Sequence, residues 1–273
     1  MSALYPLVRN LYAFSTRFGV SRSPSRAGSS PRSFSSFVIA SCILPFYICA
    51  AAAQAPDARE ADRLYADRAN LASARRAADI WSAILTSEPR SFEAAWKLAR
   101  VDYWLGGHGA ESERRAHLEA GIVAGRKAAE IEPKKPEGHF WTAADMGALA
   151  ESFGLRQGLK YRKPIKESLE TVLRIDPAFM DGSADRALGR WYFKVPRLFG
   201  GDRKLSEAHL RKALSYNPDS TVSHFFLGEL FDDEGRKDEA RGEFQRVIDA
   251  AINPDWMPED QEFKDKARRA LRR

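Results

Sequence analysis

From residue 57 onward, apolar residues recur at spacings of three and four in nearly every window, and no run sustains an alternation of period two. That pattern belongs to amphipathic helices and excludes half-buried strands. Ala, Leu, Glu, Lys and Arg fill the stretches between short breakers, as helix interiors favour. The breakers are evenly placed: Glu88-Pro89, Glu132-Pro133, Asp176-Pro177, Asn217-Pro218 and Asn253-Pro254. The spacing predicts eleven helices, near 57–68, 71–87, 91–105, 110–131, 137–153, 162–174, 181–194, 203–215, 220–234, 237–251 and 258–271. Ser91 and Asp202 stand where side-chain N-caps of the third and eighth helices belong.

The prolines expose an internal repeat. Pro89 to Pro133 is 44 residues, Pro133 to Pro177 is 44, and Pro177 to Pro218 is 41. Each closes a helix of one type, with Ile84, Ala128, Val172 or Ala213 five residues ahead of it. A tetratricopeptide repeat (TPR) runs to about 34 residues, so the units are expected to carry longer inter-helix loops. The last unit fits best: counted from Thr221, Leu227-Gly228 take positions 7 and 8, Phe231 position 11, Ala240 position 20 and Phe244 position 24. Small residues at 8 and 20 let two helices approach, and the large ones fill the seam between them. The expected fold is all-α: a TPR-like α-solenoid of about five helix pairs, residues 56–273, behind an N-terminal export signal, with a polar last helix as its cap.

The first 55 residues are compositionally foreign. They hold five Arg (Arg9, Arg17, Arg22, Arg26, Arg32) and no Asp, Glu or Lys, and they end in an apolar run from Phe37 to Ala53. A basic start, an apolar core and small residues read as an export signal, with Ala53-Gln54-Ala55 as the cleavage site. The expected location is therefore periplasmic or otherwise exported. Three alternatives stay open: a retained anchor over 37–53, a lipoprotein through Ile39-Ala40-Ser41-Cys42, and an organelle transit peptide. Removing this segment takes five of the 43 basic residues and leaves 38 against 37 acidic, so the basic balance is mostly the leader's. The remainder lacks the excess positive charge of a nucleic-acid binder, and any membrane link is expected through the N-terminal segment alone. Both cysteines, Cys42 and Cys49, also fall there, so no disulfide or thiolate chemistry is expected beyond it.

Catalytic patterns do not emerge. The five histidines are scattered, and no HExxH, GxSxG or P-loop occurs; neither enzyme activity nor a cofactor or metal is expected. Two segments stand out. Glu137 to Ala150 forms an aromatic-headed helix with small residues at Ala143, Ala144, Gly147 and Ala148, suited to close packing or to an apolar ligand. Asp185 to Asp202 reads as a helix stopped before Pro196, then an inserted loop with Leu198-Phe199 and two glycines. Such insertions gather on one face and carry binding, or else cover the array. The candidate partner contacts are Trp104, Phe140, Trp141, Arg190, Trp191, Tyr192, Arg197, Phe199 and Phe225, residue types that suit interface hot spots.

The order Trp141-Thr142-Ala143-Ala144, Gly147, Arg174-Ile175-Asp176-Pro177, Ala187-Leu188-Gly189-Arg190, Val195-Pro196, Gly200-Gly201-Asp202 and Ala208 to Ala213 resembles the TatT family. These are exported TPR proteins associated with tripartite (TRAP-type) transporters. The likeness covers roughly Ala110 to Pro254. Ser206, where such repeats usually place Ala, departs from it. The resemblance implies a periplasmic accessory protein that docks a solute-binding protein, with an apolar channel for a small ligand and no catalytic residues. The competing expectation is a general envelope scaffold for protein–protein assembly.

Overall fold

The computed structural model describes residues 57–272. The leader, its cleavage site and both cysteines lie outside the described residues. Eleven α-helices follow one another: α1 Ala58–Ala66, α2 Leu71–Ser87, α3 Phe92–His108, α4 Glu111–Ile131, α5 Pro136–Phe153, α6 Leu155–Ile175, α7 Phe179–Lys194, α8 Arg203–Tyr216, α9 Thr221–Asp233, α10 Lys237–Asp249 and α11 Met257–Ala270. Short 3-10 turns at Arg197–Phe199 and Pro254–Trp256 precede α8 and α11. The expected TPR-like α-solenoid is the observed one. The predicted caps are in place: Ser91 Oγ accepts the Ala94 N–H at 3.4 Å, and Asp202 Oδ1 accepts those of Lys204 and Leu205 at 2.8 and 3.1 Å.

One expectation is corrected. The extra length of the units lies in the helices rather than in loops. Both α4 and α6 have 21 residues, while only Gly109 and Ala110 join α3 to α4, and Gly154 alone joins α5 to α6. Gly154 makes that one-residue junction possible because its φ of 78° lies in the left-handed region. Helix α6 therefore begins at Leu155 rather than near 162, and it runs through Pro164 without ending there. Pro164 lacks the N–H of one helical bond, but the turns on both sides hold Tyr161, Ile165 and Leu169 in the core.

Close approach between helices rests on missing side chains. A Cβ on Gly228 would stand 2.7 Å from the Phe244 ring, and one on Gly189 2.6 Å from Leu210. These are the α9–α10 and α7–α8 seams at the small-residue position read from the repeat. The α4–α5 seam is tighter still: a Cβ on Gly138 would meet the Ala129 backbone nitrogen at 2.4 Å, and one on Gly125 that of Thr142 at 2.9 Å. The largest core cluster sits in the middle of the array, around Trp141, Met146, Leu149, Ile165, Leu169 and Leu188. A second cluster, around Leu210, Phe231, Phe244 and Val247, closes the C-terminal pairs.

The array curls until its first pair meets its last helix. Arg68, in the turn after α1, is only 3% exposed. It donates from Nε and Nη2 to the two carboxylate oxygens of Glu259 in α11, at 2.9 and 2.5 Å, and from Nη2 to the Asp255 carbonyl at 2.8 Å. Its guanidinium also lies over the rings of Tyr65, Trp104 and Trp256. The planar fork matches a carboxylate bidentately and stacks on aromatic faces, two tasks an ammonium cannot combine. A second tie joins α3 to α11, where His108 Nε2 lies 3.1 Å from Glu262 Oε2.

Two outcomes follow from this closure. Arg68→Ala removes a buried partner from Glu259 and is expected to cost about 3 kcal/mol in a urea unfolding series. The Glu262 carboxyl is held down to about 2 by the hydrogen bond with His108, aided by Lys266. A carboxylate so depressed contributes stability above its ordinary value of 4.5 and loses it as the pH falls through 2. Glu262→Gln is therefore expected to be less stable than the parent above pH 4.5, with the gap closing as the pH approaches 2; thermal melts across that window measure it.

Candidate partner-binding surface

Helices α3, α5, α7 and α11 turn charged and aromatic groups toward a shared interior. Tyr103 keeps 38% of its surface, yet burial pushes its hydroxyl above the usual tyrosine range. The negative charges of Glu151, Glu262 and Glu259, drawn from α5 and α11, add to the same effect. Its side chain therefore stays reachable while acidic groups of α5 and α11 lie near it. Its ring lies 5.7 Å from Trp141, whose Nε1 has no hydrogen-bond partner among the described residues.

Arg186 of α7 senses the same space, since Tyr103 is among the groups acting on its charge. Burial lowers its pKa, and Asp181 and then Tyr103 act in the other direction. Arg186 keeps part of its surface and makes no hydrogen bond or ion pair with another described residue, so its guanidinium is left open to a partner. Ahead of it the backbone passes through three left-handed residues, Met180, Asp181 and Gly182, with φ of 46°, 57° and 73°. Left-handed backbone at two non-glycine residues costs roughly 1–2 kcal/mol each. The Asn217 amide holds Asp181 from α8's end at 3.3 Å, and a Cβ on Gly182 would strike the Tyr216 ring.

Arg190, one helical turn beyond Arg186, is engaged. It reaches Glu151 of α5 at 3.1 Å and Glu229 of α9 at 2.5 Å, and lies over the Phe226 ring. Burial works against its charge, but the two carboxylates prevail and its pKa is raised. Arg190 thus laces three helices together along one face. Tyr192 is half-buried and stacks on His209 with ring centroids 5.4 Å apart.

The other expected contacts divide between core and loop. Trp104, Phe140, Trp141, Trp191 and Phe225 are each 8% exposed or less, so packing occupies the surface they would offer a partner. Trp104 donates its Nε1–H to the Arg68 carbonyl at 2.7 Å and stacks on His108, serving the closure of the array. Trp191 donates to the Arg162 carbonyl at 2.9 Å. Arg197 is exposed, while Phe199 is half-buried beneath the Arg162 guanidinium. Gly201 fixes the loop, since a Cβ there would fall 1.7 Å from the Val195 carbonyl oxygen.

The histidines are structural. His117 pairs with Asp102 at 2.8 Å, His209 with Asp185 at 2.7 Å and His224 with Glu243 at 2.6 Å, each across a helical hairpin. No group of three metal-ligating side chains occurs among the described residues. An open cleft of about 350 Å³ lies between α4 and α6, lined by Arg126, Glu130, His139, Met146 and Glu167. Its lining mixes both charges and offers no convergent polar set.

Asp145 is the anomaly of the interior. It is fully buried, neither carboxylate oxygen has a partner, and a Cβ on Gly121 would come within 2.4 Å of it. Burial raises its pKa well above the usual carboxylate value, and Asp102 adds to the rise. A carboxyl raised in this way binds its proton more tightly when folded, so stability declines as the pH climbs above 3.8. Asp145→Asn is expected to flatten that decline, with urea midpoints on either side of neutrality brought closer together than in the parent.

These observations define the class: a TPR-like scaffold of stacked helical pairs, an architecture that offers a continuous surface to protein partners. The family model described as Regulator of microtubule dynamics protein 1-3 matches residues 57–208, more than half of the chain, and the chain belongs to that family. No curated protein sequence matches it. Among solved structures it is similar to TTC0263, a thermophilic TPR protein of Thermus thermophilus, with a TM-score of 0.61 and 22% identity over 79% of this chain and 99% of that one. It also matches MamA, with a TM-score of 0.45 and 16% identity over 73% of this chain and 95% of that one.

Proposed function

We propose that the chain is a non-catalytic adaptor whose inner face takes an acidic segment of a protein partner, with Arg186 as the anchor. The observation that carries this is the partly accessible Arg186 guanidinium, without an ion-pair partner among the described residues, beside the accessible Tyr103. A partner carboxylate or phosphate would accept from the guanidinium and from the Tyr103 hydroxyl. Tyr103 and Arg186, rather than the neighbouring Trp104 and Arg190, are the contacts this reading selects. An apolar small ligand, the other occupant the sequence suggests, would leave Arg186 unsatisfied and is disfavoured.

The family description directs the search for that partner to the microtubule system. A second reading, docking of a periplasmic solute-binding protein, rests on the TatT-like order from Ala187 to Asp202 and on the export-signal pattern of the first 55 residues. The two are separated by sedimenting the protein with polymerised tubulin, and by testing its retention on an immobilised solute-binding protein. For the anchor itself, fluorescence anisotropy with an acidic peptide is the test. Arg186→Gln is expected to weaken binding by roughly ten- to a hundredfold, the worth of a hydrogen bond to a charged group. Equal binding by parent and variant would dismiss the anchor.

A further inference from the structure

The outer edge formed by α6 and the inserted loop carries a different chemistry. Leu155 and Leu159 are 64% and 37% exposed, and Leu198, in the 3-10 turn of the loop, is 88% exposed. Leu155, Leu159 and Arg162 recur at four and three residues along α6, so they share one side of the helix. Arg162 joins the two pieces: its Nη1 donates to the Phe199 carbonyl at 3.1 Å and its guanidinium covers the Phe199 ring. The leucines therefore stand on one continuous edge, and Leu198 projects from it instead of lining a groove.

Cations surround them. Arg156, Lys160 and Arg162 on α6, and Lys194, Arg197 and Lys204 around the loop, have no carboxylate within ion-pair distance among the described residues. Elsewhere some cations, such as Arg190, Arg236 and Lys237, are tied to carboxylates and others, such as Arg76, Lys127 and Arg241, are not; what marks this edge is that its unpaired cations lie around exposed leucines. The one acid of the loop, Asp202, is engaged in capping α8. Projecting apolar side chains ringed by unpaired cations complement a surface with negative charge outside and hydrocarbon beneath.

We propose that this edge is a peripheral docking surface for anionic lipid bilayers, in which Leu155, Leu159 and Leu198 enter the interface and the cations face lipid phosphates. A protein groove has no comparable reason to receive a lone projecting leucine, whereas a bilayer interface deforms around one. The face lies apart from the Arg186 interior, and the proposal holds whichever partner that interior takes.

The described residues form a compact unit of their own, and every core cluster among them is drawn from 58–271. The chain from Asp57 onward therefore folds without the leader and is the material to test, with circular dichroism as the control for folding. Vesicles of phosphatidylcholine alone are compared with vesicles containing about one-third phosphatidylserine, the charge density at which basic clusters respond. Co-sedimentation is expected with the anionic vesicles only, weakening as salt is added. The triple variant Lys160→Gln/Lys194→Gln/Arg197→Gln is expected to lose about a hundredfold in affinity. The charge-neutral pair Leu155→Gln/Leu198→Gln is expected to lose about tenfold or more. Absence of sedimentation with either vesicle overturns the proposal, as does equal binding to both. So does binding that ignores the leucine pair, which would mark simple ion exchange. Retention on polyglutamate without vesicle binding would give the edge to an acidic protein, and self-association abolished by Leu198→Gln would give it to a second copy.

Discussion

The structure depends on the tie between Arg68 and Glu259. A helical repeat array is stabilised by contacts between neighbours, and its ends ordinarily have none to spare. Here one guanidinium, stacked among three aromatic rings and paired bidentately, joins the turn after the first helix to the eleventh. The stacking matters as much as the charge. A carboxylate partner compensates the buried cation, and the indoles of Trp104 and Trp256 exclude the water that would screen it. Because the ends meet, the inner faces of α3, α5, α7 and α11 look at one another. Charges as far apart in sequence as Tyr103 and Glu262 then act on one another.

That enclosure accounts for two otherwise unrelated oddities. Arg186 has no carboxylate within ion-pair distance: Asp181 acts on its charge only from farther off, and Glu151 is taken by Arg190. Asp145, by contrast, is not a lumen group. It stands in the α4–α5 seam, where Gly121 makes room for it and where neighbouring repeats place glycine. A carboxyl in a seam built for small residues is neutral there and interferes little with packing, but it ties the stability of the central pairs to pH. The His117–Asp102 pair across α3–α4, whose hydrogen bond raises the His117 pKa, adds to that dependence.

Much of this was legible in the residues themselves. The prolines at regular intervals gave the repeat, Ser91 and Asp202 gave their caps, and the Leu227-Gly228 and Ala240 positions gave the seam of the last pair. The α4 helix is legible at full length, but the first two turns of α6 read as loop because Gly154, Gly158 and Pro164 look like breakers, and tertiary packing of Tyr161 and Ile165 carries the helix past them. The aromatic residues chosen as contacts were mostly core, since a large ring in a repeat is first a filler of the seam. Tyr103 was passed over for its neighbour Trp104, one residue and about 100° around the helix away. Which of the two faces inward is set by the curvature of the whole array, and no local window contains that. Arg186 lay inside a segment already singled out, but its want of a partner is visible only once every nearby carboxylate has been assigned.

The tie between the ends also bears on how such a chain can change over generations. Open solenoids lengthen and shorten freely, because duplicating or deleting one unit disturbs only its immediate neighbours. In this chain an added pair of helices would carry Glu259 a full repeat away from Arg68, stranding a cation among three rings. The unit count is thus locked by the Arg68–Glu259 and His108–Glu262 ties, and variation is channelled into helix length.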